Sequence, residues 1–219
     1  MKINLKDLSD LISSFLFPAP DSAKDLKRLT GSELEKILPR CEDSPHPCFI
    51  SIFKYRNEKV KEAIYHIKFK GNLAIIDPFG EVVFREITER IIPEEKDGGG
   101  LYVIPIPLSQ KRHSERGFNQ SDLIALSVLK NDRNRNLIYS PKTLKRDVHT
   151  RPQTTLSVSK RRTNVKNCFS VPEKEMLRIR DQKVILVDDV TTTGSTLKEA
   201  RKVLLKAGAK EVWAVTLAH

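Results

Sequence analysis

Hydrophobic positions recur at helical spacing through the first third of the chain. Leu5, Leu8, Ile12 and Leu16 predict a helix over 2–17, and Leu26, Leu29, Leu34 and Leu38 predict a second over 21–38. The prolines from Pro39 to Pro47 end that pattern. Residues 49–55 alternate as a strand does, whereas Val60, Ile64 and Ile67 share one face of a helix over 57–69. A further helix is expected over 73–92, with Pro78 inside it as a kink or a start point. Gly98, Gly99 and Gly100 follow an acidic run and read as a loop.

Beyond these glycines the period changes. Short segments at 101–105, 142–146, 184–188 and 211–217 predict strands, and the segments 117–129 and 194–207 between them predict helices. Strands alternating with helices imply an α/β fold: a mostly parallel, twisted sheet with helices on both faces. Ligands of such sheets sit beyond the carboxyl ends of the strands. The polar segments that follow Pro105 and Asp188 fall there.

Charge changes the picture next. With 39 Lys and Arg against 28 Asp and Glu, the formal net charge is +11, which favours polyanionic partners, either nucleic acid or phosphorylated small molecules. The excess is local. Seven basic residues and one acid lie between Lys145 and Lys166, and Lys111, Arg112 and Arg116 stand against Glu115 alone. The longest uncharged stretch, 98–110, contains three Gly and two Pro, so no membrane insertion is expected. Asp7 and Asp10 occupy the flank where a signal peptide carries basic residues, which points to the cytoplasm. Cys41, Cys48 and Cys168 are too few and too scattered to form a disulfide framework.

Residues 184–196 carry the chemistry: four apolar residues, the adjacent acids Asp188 and Asp189, then Val190, Thr191, Thr192, Thr193, Gly194, Ser195 and Thr196 opening a helix. Hydroxyls and successive backbone N–H groups at a helix N-terminus form a cradle for a phosphate. The two carboxylates, as acceptors, suit sugar hydroxyls or a metal ion. A capping box, Thr196 with Glu199, would account for one of these hydroxyls rather than five. The chain has no Gly-Lys dipeptide and no G-x-G-x-x-G, so the common nucleotide phosphate loops are excluded.

This run resembles the signature of the type I phosphoribosyltransferase fold, which binds 5-phosphoribosyl-1-pyrophosphate (PRPP). Two further stretches narrow the likeness. They are Pro105-Ile106-Pro107-Leu108-Ser109 with Arg112 and Arg116-Gly117-Phe118-Asn119-Gln120, and then Arg146, Thr150, Pro152-Gln153, Leu156, Arg161-Arg162, Asn164 and Phe169. Together they resemble the ComF family, phosphoribosyltransferase-like proteins associated with bacterial competence and DNA uptake. The likeness spans residues 50–219.

The resemblance implies that Asp188 and Asp189 bind the ribose 2′- and 3′-hydroxyls and that Thr191, Thr192, Thr193, Gly194, Ser195 and Thr196 hold the 5′-phosphate. Leu108 and Ser109 with Lys111, Arg112 and Arg116 would form the pyrophosphate loop. Lys145, Arg146, His149, Arg151 and Gln153 would belong to a mobile loop over the site. Asp188, Asp189 and Arg146 are the implied catalytic residues, Mg²⁺ arrives with PRPP rather than on its own ligands, and the activity would be phosphoribosyl transfer to an unidentified nucleophile. The family's zinc ribbon is not matched. Cys41, His46 and Cys48 supply three ligands without CxxC spacing, so zinc is not expected, and residues 1–48 read as a helical appendage to a domain over 49–219.

Two other readings remain open. The basic stretches would also suit a single-stranded DNA-binding component of an uptake machinery, although Lys145 to Lys166 offers no aromatic residue for stacking. A protein that senses PRPP without turning it over would carry the same signature.

Overall fold

The segments over 49–55, 101–105, 184–188 and 211–217 pair in one parallel sheet. In the computed structural model, which describes residue 26 and residues 29–92, 100–146 and 167–219, the strands are β1 (Phe49–Phe53), β2 (Leu101–Pro105), β3 (Leu137–Tyr139), β4 (Lys145–Arg146), β5 (Phe169–Ser170), β6 (Lys183–Val190) and β7 (Glu211–Ala218). The helices are α1 (Gly31–Ile37), α2 (Glu58–Lys70), α3 (Leu73–Arg90), α4 (Gln110–Arg116), α5 (Gln120–Asn131), α6 (Glu173–Ile179) and α7 (Ser195–Lys206). Five strands form a parallel sheet in the order β1-β7-β6-β2-β3, and β4 pairs antiparallel with β5 in a separate hairpin.

Two-residue alternation divides the core between the faces of the sheet. Ile185 and Val187 of β6, Val215 and Leu217 of β7, and Leu101 and Val103 of β2 pack with α1, α2, α3 and α5 on one face. Val184 and Leu186, Val212 and Ala214, and Ile104 pack with α6, α7 and the hairpin on the other. Strands buried on both sides read as continuous apolar runs, which is why the central ones are visible in the sequence.

The strand order reverses between β2 and β6. From β2 the chain crosses to β3 on one side, while β6 and then β7 lie on the other. Pro105 pairs with Val187, so Asp188 stands one step past the last paired residue of β2. The crevice at the carboxyl ends of β2 and β6 is therefore the place where an α/β sheet admits a ligand.

Several expected elements are corrected. The helix over 21–38 is interrupted at Thr30, which caps α1 instead: its hydroxyl accepts from the Glu33 amide at 3.3 Å while Glu33 Oε2 accepts from the Thr30 amide at 2.7 Å. The helix over 117–129 begins at Gln120, and the loop expected before it contains the separate helix α4. Gly117, at φ 78°, ends α4 in the left-handed region, and Asn119 caps α5. The strand over 142–146 shrinks to Lys145 and Arg146 in the hairpin, and the sheet's edge is β3, too short to give a pattern. Pro78 lies inside α3, which continues through it. The helix expected over 2–17 falls outside the described residues. Among the described residues no helix is long and apolar enough to cross a membrane.

The fit of α3 against α5 depends on Gly80. A Cβ there would lie 2.1 Å from Ser127 Oγ and 2.9 Å from the Ser127 backbone carbon. Gly80→Ala is expected to lower stability by about 1–3 kcal/mol despite alanine's better helix propensity, because α5's backbone would have to move. An unchanged midpoint in urea denaturation would contradict this packing.

Candidate functional site

The end of β6 brings two like charges together. Asp189 is only 3% exposed and Asp188 is half-buried beside it. Adjacent residues on a strand point to opposite faces, so different groups hold the two carboxylates. Asp188 Oδ1 accepts from Ser121 Oγ at 2.8 Å and from the Asp189 amide at 2.9 Å. Ser121 is fully buried at the start of α5. Asp189 Oδ1 accepts from the Val190 amide at 2.8 Å, and Asp189 Oδ2 is ion-paired with Lys68 Nζ of α2 at 3.0 Å.

That ion pair leaves a vacancy in hydrogen bonding. Asp189 Oδ2 is buried, and the ammonium approaches it without the angle of a hydrogen bond, so the oxygen has no hydrogen-bond donor. Buried acceptors normally find donors, and an oxygen in this state is suited to a ligand hydroxyl. The same donor set of two carboxylates fits a hydrated Mg²⁺ brought in by a phosphorylated ligand.

Electrostatics reinforces the picture. Burial, followed by the charge on Asp189, pushes the Asp188 carboxyl up from the usual carboxylate range, while Ser121, the Asp189 amide and Lys68 act in the opposite sense. Arg116, at the end of α4, feels both carboxylates. Burial lowers its guanidinium from the ordinary value and the two aspartates oppose that shift, with Arg112 adding repulsion. Arg116 is fixed by a 3.0 Å bond to Gln120 Oε1 and by stacking 5.0 Å over the Phe69 ring.

The segment from Thr191 to Thr196 follows the carboxylates in the chain. Gly194 precedes α7 at φ 70° and provides no capping side chain, and the Ser195 amide that opens the helix donates to Thr193 Oγ1 at 3.4 Å. A Cβ at Gly194 would press on Pro45 at 3.1 Å and on Phe49 at 3.4 Å, in addition to the unfavourable φ. Thr193 Oγ1 and Ser195 Oγ lie 2.7 Å apart, the Thr191 amide donates to the Ala218 carbonyl, and His219 Nδ1 lies 3.1 Å from the Thr191 carbonyl. The segment between β6 and α7 is thereby tied to the end of β7.

Of the residues singled out in the sequence, Asp188, Asp189 and the run from Thr191 to Thr196 line one end of the sheet. Leu108 and Ser109 come from the β2–α4 connection next to it, and Arg112 and Arg116 from α4 itself. Ser109 caps α4, its hydroxyl accepting from the Arg112 amide at 3.4 Å. Lys111 is exposed and faces Glu115 at 3.9 Å. Lys145 is exposed in the hairpin, and Arg146 lies 5.5 Å over the Phe169 ring, with no described contact to the carboxylates. His149, Arg151 and Gln153 lie outside the described residues. Lys68 and Ser121 are the partners that sequence reasoning missed. Lys68 is one of many lysines on an amphipathic helix, and Ser121 reads as part of the turn capped by Asn119.

The described residues hold no group of three or more His, Cys, Asp and Glu able to bind a metal. His46 packs on Phe49 at 4.7 Å, and its Nδ1 accepts from the Cys48 amide.

Comparison with known proteins gives a consistent result. Residues 142–219 match the family model described as a phosphoribosyl transferase domain. Over 194 residues the chain is 42% identical to "Competence protein F" of Haemophilus influenzae, covering 83% of this chain and 79% of that protein. It is 37% identical over 184 residues to "DNA utilization protein YhgH" of Escherichia coli O157:H7, covering 80% and 74% respectively. With "Competence protein ComFC" of Bacillus subtilis the identity is 30% over 158 residues, 72% of this chain and 58% of that protein.

Asp188 holds its proton more tightly in the folded chain than in the unfolded one. Ionising it therefore opposes folding, and its contribution to stability declines as pH rises from the ordinary carboxylate range through the raised folded value. Asp188→Asn is expected to raise stability at about pH 8 by roughly 1–2 kcal/mol, the size common when a strained site residue is neutralised, and to lose most of that gain near about pH 4. Urea denaturation at the two pH values measures it. A gain that does not change with pH would contradict the raised carboxyl.

Proposed function

The chain belongs to the competence protein F (ComF) family of phosphoribosyltransferase-like proteins, and from that premise we propose that it binds PRPP with Mg²⁺ and transfers the phosphoribosyl group to a nucleophile in the handling of DNA taken up by the cell. The observation that carries this reading is one end of one sheet. There, two carboxylates with an unfilled acceptor oxygen stand beside the N-terminus of α7, whose N-cap Gly194 has no capping side chain, and an arginine that feels both charges. The names of the relatives, which refer to competence and DNA utilization, support the cellular context. PRPP is made and used inside cells, so the reading places the work in the cytoplasm.

In this account the ribose hydroxyls donate to Asp188 and Asp189, and the 5′-phosphate lies on the backbone amides and hydroxyls of Thr191 to Thr196. The bond from C1 to the pyrophosphate oxygen breaks and the oxygen keeps the electron pair. A bond forms from C1 to the nucleophile, which gives up its proton. Positive charge grows on the sugar ring as the bond breaks, much as in glycoside hydrolysis, and the two carboxylates beneath it stabilise that charge. Arg116 and Arg112, with Lys111 at the exposed edge, face the departing anion. Mg²⁺, when bound with PRPP, neutralises charge on the leaving pyrophosphate. Ser121 fixes the rotamer of Asp188, and Lys68 holds Asp189 in place through their ion pair.

Calorimetric titration of PRPP with Mg²⁺ is expected to show saturable binding to the wild type. In the Asp188→Asn, Asp189→Asn variant, which keeps the shape and removes both charges, affinity is expected to fall by about 100-fold or more, the loss of two charge-assisted hydrogen bonds. Equal binding by both proteins would place PRPP elsewhere or nowhere. Pyrophosphate release on adding candidate nucleophiles then separates a transferase from a protein that only senses PRPP, which would bind without release.

A further inference from the structure

A helix lysine usually lays its stem on apolar surface and keeps its ammonium in water. Lys68 of α2 does the opposite. Its side chain is only 26% exposed, and its Nζ stands 3.0 Å from Asp189 Oδ2, an oxygen that is itself buried. Lys61, two turns earlier on the same helix, shows the ordinary behaviour and pairs with the exposed Glu58.

The stem that carries Lys68 is fixed. Phe69, the next residue, lies under the Arg116 guanidinium at 5.0 Å and beside the Tyr65 ring at 5.1 Å. Helix α2 ends at Lys70, and Gly71 follows at φ 56°, where a Cβ would press on the Phe118 ring at 3.2 Å. The last turn of α2 is thus clamped against the end of α4 and its connection to α5. The ammonium is delivered to the carboxylates by packing, not by a chance rotamer.

The position matters because of what a carboxylate pair binds when nothing opposes it. Asp188 and Asp189 offer oxygen acceptors, the ligand type that hard divalent cations select. Asp188 Oδ1 is taken by Ser121 and the Asp189 amide, and Asp189 Oδ1 by the Val190 amide, whereas Asp189 Oδ2 has no hydrogen-bond donor. A divalent ion arriving alone would settle on such an oxygen and cover the acceptor that a sugar hydroxyl needs. With Lys68 in place it meets an ammonium already 3.0 Å from that oxygen. The described residues add no third His, Cys, Asp or Glu to the pair, and Mg²⁺ on one or two carboxylates normally completes its shell with water and substrate phosphates.

We propose that Lys68 is a specificity-determining residue, whose charge keeps divalent cations off the carboxylate pair unless a phosphorylated ligand brings them, so that the aspartates stay open to sugar hydroxyls. The inference deepens the PRPP reading and rests on it for the identity of the sugar. Lys68 acts here through Asp189 and touches no reacting atom.

The test needs no PRPP. Mn²⁺, a paramagnetic stand-in for Mg²⁺, is titrated into the full chain, and the free ion is read from its electron paramagnetic resonance signal. Lys68→Met is expected to bind Mn²⁺ about tenfold or more tightly than the wild type, because a unit positive charge beside the dication has been removed. Lys68→Arg keeps the charge and should match the wild type. Adding Asp188→Asn and Asp189→Asn to Lys68→Met should abolish the gain, which places it on the pair. Should the methionine variant fail to fold, Lys68→Gln, neutral and able to donate to a carboxylate, gives the same comparison.

Equal Mn²⁺ binding by the wild type and the neutral variants would overturn the proposal. A gain that survives the loss of both aspartates, or that appears equally in Lys68→Arg, would overturn it as well. The PRPP reading fails separately: a wild type that does not bind PRPP with Mg²⁺ in calorimetry, beside a Lys68→Met variant that gains Mn²⁺, would remove the sugar and leave the exclusion of cations by Lys68 standing.

Discussion

Two adjacent carboxylates at the end of a central strand repel each other in a setting that hydrates neither well, and most of the surrounding structure can be understood as the answer to that repulsion. Ser121 of α5, Lys68 of α2, Arg116 of α4 and two backbone amides of β6 itself are each aimed at Asp188 or Asp189 or feel their charge. A charge concentration of this kind opposes folding unless it is paired and hydrogen-bonded. It persists here with one acceptor still unfilled, the sort of local strain that proteins concentrate at functional sites.

The sheet is what brings these groups together. Parallel pairing of β2 with β6 fixes the register so that Asp188 projects just past Pro105, and pairing of β6 with β7 ties the segment after Asp189 to the end of β7. Because ladders of this kind are buried on both faces, their register cannot slip without carrying apolar residues out of the core. The positions of the carboxylates are thus set by the packing of Ile185, Val187, Val184 and Leu186 rather than by local loop chemistry. The start of α7 then lies at the carboxylate end of the sheet, tied to the end of β7 through Thr191.

The legible part of this design was the part encoded locally. The runs that became β2, β6 and β7 stood out because both of their faces are apolar, and the acidic pair followed by hydroxyls and a glycine was visible because the cradle is contiguous in the chain. β3, with three residues, was too short to show a period, and α4 was hidden by the Gly and polar residues around it. Thr30 with Glu33 is a capping box that the leucine spacing over 21–38 outweighed. Lys68 and Ser121 were missed for a different reason. They reach the aspartates across the fold from 121 and 67 residues away in the chain, and nothing in their own neighbourhoods distinguishes them from a surface lysine and a turn serine.

The central claim is that this end of the sheet is a single ligand site, with the sugar on the carboxylates and the phosphate on the start of α7. A crystal structure of the protein grown with PRPP and Mg²⁺ tests it most directly. The account predicts ribose hydroxyls within hydrogen-bond distance of Asp188 and Asp189, with the 5′-phosphate on the amides that follow Thr192. PRPP bound away from both aspartates, or with its 5′-phosphate away from the start of α7, would contradict it.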